Sequence, residues 1–253
     1  MNDSLHIALC TSLDEVQKAC DLFQQVWSGG PTVVPMDLGV AMVHAGGYCA
    51  LATYQGRVVG ASLGFLGQRG TQQVLHSHVT ASTIAGTGFA MKQHQKAWAL
   101  EHGLSGITWT FDPLVRRNSY FNLVKLAATG IEFLPEFYGP MTDDINAGDL
   151  SDRVLCLWDI TKPDESTTSD SLRHTALAQH DGNPVVHGIQ PGIENVIELP
   201  ADFEALRALN HPSVPKWRLA MRECLDPYLN QGWTLTGMMK KEALILSPPQ
   251  ESA

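Results

Sequence analysis

Two histidines stand just ahead of a pair of glycines in the segment Leu75 to Lys92, which reads LHSHVTASTIAGTGFAMK. His76 and His78 are two residues apart, so on a strand they share one face. Imidazole titrates near neutrality and can serve as a general base, directly or through water. The same spacing suits a metal on a strand. No second cluster of His, Asp or Glu is evident nearby, and a zinc site needs three or more ligands, so no metal is expected. An ordinary strand histidine with a satisfied hydrogen bond stays open for each.

The glycines that follow suggest a second kind of chemistry. Gly86 and Gly88 sit where an apolar strand turns directly into a helix. Glycine lets backbone approach a ligand closely. The first free N–H groups of a helix, reinforced by its dipole, attract phosphate. The cradle would be built from Ala85, Gly86, Thr87 and Gly88. No G-K-[ST] follows, so this is not a Walker loop, and Met91 breaks the G-x-G-x-x-G dinucleotide pattern. A plain tight turn between strand and helix is the alternative. Further along, Asp112 can orient an amine or cap the turn before Pro113, and the Asp-Pro context favours the turn. Arg116 and Arg117 can meet a carboxylate or phosphate, or stand solvated. Tyr138, Asp143, Asp144 and Asn146 form a polar run that suits an acceptor pocket. Ser62 lacks a G-x-S-x-G elbow, so a serine hydrolase is not supported.

The elements that must hold these residues follow from periodicity and punctuation. His6 to Thr11 reads as a strand. Ser12 with Glu15 makes a capping box for a helix over Leu13 to Val26. Pro35 to Ala45 reads as a shorter helix. Tyr48 to Tyr54 and Arg57 to Leu66 read as a hairpin turning at Gln55-Gly56. Val74 to Ser82 is the strand that carries the histidines, and Phe89 to His102 the helix beyond the glycines. Gly106 to Phe111 is a strand, Arg117 to Ala128 a helix, and Ile131 to Tyr138 and Arg153 to Ile160 two more strands. Thr161 to Gly192 is rich in Ser, Thr, Pro and Gly and reads as a linker. Beyond it come a strand (Asn195 to Leu199), helices over Ala201 to Leu209 and Lys216 to Gln231, the second broken near Asp226-Pro227, and a hairpin over Trp233 to Leu246. This tail repeats the opening order of elements.

The expected organisation is a domain over 1–160, a linker over 161–194 and a C-terminal β-α-β-β accessory lobe over 195–253. The fold class is α/β (α+β), with a mixed, mostly antiparallel twisted sheet and helices on both faces. With 253 residues, 44% hydrophobic and 17% charged, the chain can bury a sizeable core. A formal charge of −9 argues against a nucleic-acid surface, which needs clustered Lys and Arg. Five scattered cysteines without a CxxC pair read as reduced, buried thiols. Neither a signal peptide nor a membrane span is evident, and the protein is expected to be soluble and cytoplasmic.

The order of elements, the hairpin TYQGRVVGASLG, the turn at Gly86 and the Asn-led helix together resemble the GNAT superfamily of acyl-CoA-dependent N-acyltransferases, over about residues 5 to 160. The segment ITWTFDPLVRRNSYFNLVKLAATG resembles a branch of predicted acetyltransferases. The resemblance implies that acetyl-CoA or another acyl-CoA is the co-substrate. Its pyrophosphate would lie on the amides of Ala85 to Gly88, and its pantetheine arm along the fourth strand near Val79 and Ala81. Asn118 matches the Asn that opens the helix after the fifth strand, near the pantetheine in relatives. Thr83 occupies the R/Q position of the family's R/Q-x-x-G-x-G/A turn, and Lys125 the position where relatives often carry a Tyr acid. The implied reaction moves an acetyl or other short acyl group, succinyl included, to the amine of an amino acid or small metabolite. His76 or His78 would be the base, and Asp112 and Tyr138 would face the acceptor. The implied partner is a small-molecule amine, with a homodimer as one option. A non-catalytic acyl-CoA-binding or regulatory module is the alternative.

Overall fold

A computed structural model describes residues 4–28, 30–139, 149–163 and 172–249. They form two compact units, 4–28 and 30–109 with 159–161, and 110–139 with 149–158, 162–163 and 172–249.

The first unit opens with β1 (His6–Leu9), α1 (Leu13–Val26), α2 (Met36–His44), β2 (Tyr48–Tyr54), β3 (Arg57–Arg69) and β4 (Gln72–Ser82). α3 (Thr87–Glu101) and the start of β5 (Gly106–Phe111) follow. The capping box forms as expected: the Glu15 amide donates to Ser12 Oγ at 3.3 Å, and Glu15 Oε2 accepts from the Ser12 amide at 3.0 Å. The β2–β3 hairpin turns on Gln55 (φ 50°) and Gly56 (φ 75°). Two successive positive φ angles match the right-handed twist of the strands. β1, β2, β3 and β4 pair antiparallel in sequence order, and β5 joins β4 in parallel. Val16, Ala19, Cys20 and Phe23 of α1 pack with Ala61, Leu63, Val79 and Ala81. α3 covers the other face: its Lys92 and Gln95 bond to Ser77 and Ser62. Gly60 is required there, because a Cβ would stand 2.7 Å from Thr87 Cγ2.

The second unit holds α4 (Arg116–Tyr120), a π-helical turn over Phe121–Lys125, β6 (Thr129–Leu134) and β7 (Arg153–Asp159). β8 (Arg173–His180), β9 (Asn183–Val186), β10 (Glu194–Glu198), α5 (Phe203–Ala208), α6 (Val214–Leu229), β11 (Thr234–Met239) and β12 (Ala243–Ser247) complete it. Its strand order is β7-β6-β11-β12-β10-β8-β9. The described pairings within the units are antiparallel except β4–β5 and β8–β10. The sheet is thus mixed and mostly antiparallel, as expected.

Three expectations need correction. The stretch 161–194 contains a β8–β9 hairpin. Only Ala176 and Leu177 of β8 are buried, so its apolar signal is short, and β9 tolerates Pro184 because it is an edge strand. α6 runs through Asp226-Pro227, because Pro227 lies in the last turn and little helix is left to break. The helix after β5 is an α turn that widens to a π turn. The tail does repeat the opening order of elements, but not its pairing. β1 joins the first strand of its hairpin, whereas β10 joins the second.

Candidate functional site

β4 is irregular where it carries the histidines. Opposite β3, Ser77 pairs with Gly64 and Val79 with Leu63, so His78 is left over as a bulge. A bulge changes which face the following residues take. Ser77 lies toward α3, where Lys92 Nζ donates to its Oγ at 2.8 Å. Val79, two residues on, packs instead with the α1 side. Thr80 then returns to the α3 face, 2.7 Å from Ser62 Oγ, which accepts from Gln95 Nε2 at 2.7 Å. The parallel ladder with β5 matches Val74–His76 to Gly106–Thr108 and stops there. β4 goes on to Ser82 paired with β3.

His76 and His78 share an aromatic neighbour. Both rings lie against Phe65, with centroids 5.0 and 6.1 Å away. His76 Nδ1 is 3.1 Å from Thr108 Oγ1. Burial, helped by the charges of His78 and Lys92, lowers the pKa of His76 to about 4. Burial lowers that of His78 as well. Both rings are therefore neutral at neutral pH.

The turn after β4 is open. Gly86 adopts φ +86° as the N-cap of α3, and a Cβ there would meet nothing within 4 Å. Ala85 and Gly86 are exposed, while Thr87 is buried beneath them. Thr87 donates to the Ile84 carbonyl at 3.3 Å. Among the described residues, the amides of Ala85, Gly86, Gly88 and Phe89 have no acceptor. They are free for an anion. Thr83 faces away: its amide and hydroxyl both donate to the Val59 carbonyl, at 2.9 and 3.3 Å. The side chains of Val79 and Ala81 are buried, so these residues offer a ligand backbone only.

The remaining candidates belong to the second unit. Asp112 is buried, and Arg218 donates to both its oxygens at 2.8 and 2.6 Å. It also accepts from the Leu114 amide at 3.1 Å, which is the turn role its sequence context favoured. Burial raises its pKa, but the Arg218 charge and hydrogen bonds outweigh that and hold it below the usual carboxylate range. Tyr138 exposes its ring, with its hydroxyl 3.0 Å from Thr110 Oγ1. Asn118 is half-buried in α4, and its amide donates to Val115 at 3.0 Å. Arg116 donates to the Leu199 carbonyl, and Arg117 pairs with Glu204. Asp143, Asp144 and Asn146 lie outside the described residues.

Sequence reasoning missed the polar layer of Lys92, Ser77, Gln95, Ser62 and Thr80. A usable signal existed: Lys92 and Gln95 are three apart on α3, so they share a face. It also missed Arg218, for which no local signal exists.

No protein-family model matches the chain, and no curated protein matches it. Solved structures do. An acetyltransferase of the GNAT family from Elizabethkingia anophelis, with acetyl-CoA bound, is 13% identical, covering 62% of this chain and 99% of that one at a TM-score of 0.49. An N-acyl amino acid synthase from uncultured soil microbes is 8% identical over 63% of this chain and 92% of its own, at 0.46. An aminoglycoside 6'-N-acetyltransferase from Enterococcus faecium is 14% identical over 61% and 97%, at 0.44. Each of these structures is matched over about three fifths of this chain.

Proposed function

We propose that this protein is an acyl-CoA-dependent N-acyltransferase acting on a small-molecule amine. The observation that carries the reading is the continuous run of β4, open turn and α3. A bulged strand leaves its neighbour, and four free amides follow at the start of a helix. In this reading the pyrophosphate of the donor rests on the amides of Ala85, Gly86, Gly88 and Phe89, and the pantetheine pairs with the backbone of Val79 to Ala81 as an added strand would. The acyl group is acetyl or another short chain, succinyl included, and the acceptor is the amine of an amino acid or small metabolite.

The amine nitrogen attacks the thioester carbonyl carbon. A β4 amide near the bulge meets the developing oxyanion. The tetrahedral carbon then expels the CoA thiolate, and the proton lost by nitrogen passes to an imidazole. His78 suits that task better than His76. A ring held near pKa 4 accepts a proton weakly at neutral pH, and the best base titrates near the working pH. Proximity does much of the remaining work, because a thioester is already reactive.

Calorimetric titration of the protein with acetyl-CoA and succinyl-CoA tests donor binding. Thiol release with a panel of amines tests turnover. Saturable binding with release is the expected result. Absence of binding by either donor refutes the proposal, and binding without release across the panel replaces it with a non-catalytic acyl-CoA-binding module.

A further inference from the structure

The second unit carries a cavity of about 310 Å³ beside the start of α6. Leu150, Val214 and Pro215 give it an apolar wall, and Arg207, Asn210 and His211 a polar one. None of the acyl-transfer chemistry above uses it.

Arg207 is the notable member, because it is only 5% exposed yet makes no hydrogen bond among the described residues. Its guanidinium stands 3.6 Å from Asp112 and 3.9 Å from Asp149, beyond hydrogen-bond length. Both carboxylates are engaged elsewhere. Arg218 donates to Asp112 at 2.8 and 2.6 Å, and to Asp149 at 3.0 and 2.6 Å. The other oxygen of Asp149 accepts the Leu150 amide at 2.8 Å. The guanidinium is thus held by two longer ion pairs and by the Phe203 ring, 5.8 Å away, and keeps its hydrogen-bond donors for the cavity that it lines.

Two further features of that wall favour negative charge. The Ser213 amide donates to His211 Nδ1 at 3.2 Å, so Nδ1 is the acceptor and Nε2 carries a hydrogen as a second donor. Val214 and Pro215 form the first turn of a 16-residue helix, whose positive end adds attraction for an anion. We propose that this cavity binds a small carboxylate. The carboxylate meets Arg207 and the Nε2–H of His211, and a short apolar body lies on Leu150, Val214 and Pro215. A flat carboxylate matches the fork of a guanidinium. A phosphate dianion suits the site less, because one guanidinium faces it, a carboxylate (Asp149) shares the wall and Leu150, Val214 and Pro215 make part of the lining apolar.

The proposal stands apart from the acyl-transfer reading and is tested without it. The full chain is titrated by calorimetry with isovalerate, with its neutral isostere isovaleramide and with inorganic phosphate. Isovalerate is expected to bind saturably and to outcompete both by roughly tenfold or more. Arg207→Gln should weaken isovalerate by roughly tenfold. His211→Leu, on the exposed rim where folding is not at risk, should weaken it several-fold with the circular dichroism spectrum unchanged. Absence of isovalerate binding, equal affinity for isovaleramide, tighter binding of phosphate, or wild-type affinity in the folded His211→Leu variant would each overturn the assignment.

Discussion

Burial moves His76 and His78 in the same direction but leaves them unequal as bases. His76 touches Thr108 and takes the larger perturbation; His78 occupies the bulge. General bases contribute about 10²–10⁴-fold, so His78→Gln should lower kcat/KM for acyl transfer by at least about 10² while leaving the affinity for the donor unchanged. Steady-state kinetics beside calorimetry would show this, and an undiminished rate removes His78 from the mechanism. His76 makes a separate prediction about stability. The folded chain holds its proton less tightly than the unfolded chain does, so acid favours unfolding. The stability gained from a neutral ring is fully present above its ordinary pKa of 6.5 and is lost as pH falls toward about 4. Urea titrations across that window should show a steeper decline in the parent than in His76→Asn. Parallel declines would mean that His76 is not the group responsible.

At the scale of elements, the link from β4 to α3 depends on two glycines for different reasons. Gly86 needs its positive φ, and any other residue there pays about 1–2 kcal/mol. Gly86→Ala should therefore cost stability of that order. Because its Cβ points into open space, the fold should survive while acetyl-CoA affinity falls by roughly tenfold. Gly60 needs its missing side chain. An added methyl would stand 2.7 Å from Thr87 Cγ2 and 3.1 Å from Ala52 Cβ. Gly60→Ala should destabilise by about 1–3 kcal/mol through overpacking, and the displaced helix start should weaken donor binding as well. Thermal denaturation with and without donor distinguishes the two variants. A Gly60→Ala protein with unchanged Tm would show that the α3 start can move freely.

At the scale of the whole molecule, the decisive contacts span long stretches of chain. Asp112 and Arg218 are 106 residues apart in sequence and lie in the core of the second unit. Arg218→Met would remove the guanidinium that bonds both Asp112 and Asp149, leave these buried carboxylates to the more distant Arg207 and Arg153, and should cost about 3–5 kcal/mol. Adding Asp112→Leu should recover part of that loss, because a hydrophobic replacement of a buried pair is often neutral. Denaturant unfolding measures both, and a single variant as stable as the parent would show that the pair carries no such weight.

The amino-acid sequence by itself determined what local chemistry governs. Ser12 with Glu15 capped α1, Gln55-Gly56 turned the hairpin, and Gly86 opened α3, each through contacts within a few residues. The alternation of Val74 to Ser82 placed both histidines on one strand and one face. Only the tertiary structure decided the bulge at His78, the neighbour of β10, the β8–β9 hairpin, the partner of Asp112 and the place of Arg207 beside Asp112 and Asp149. Strand order and buried charge pairs are fixed by which distant segments meet. Residues separated by a hundred positions leave no periodic mark on one another, so their pairing becomes visible only once the chain has closed on itself.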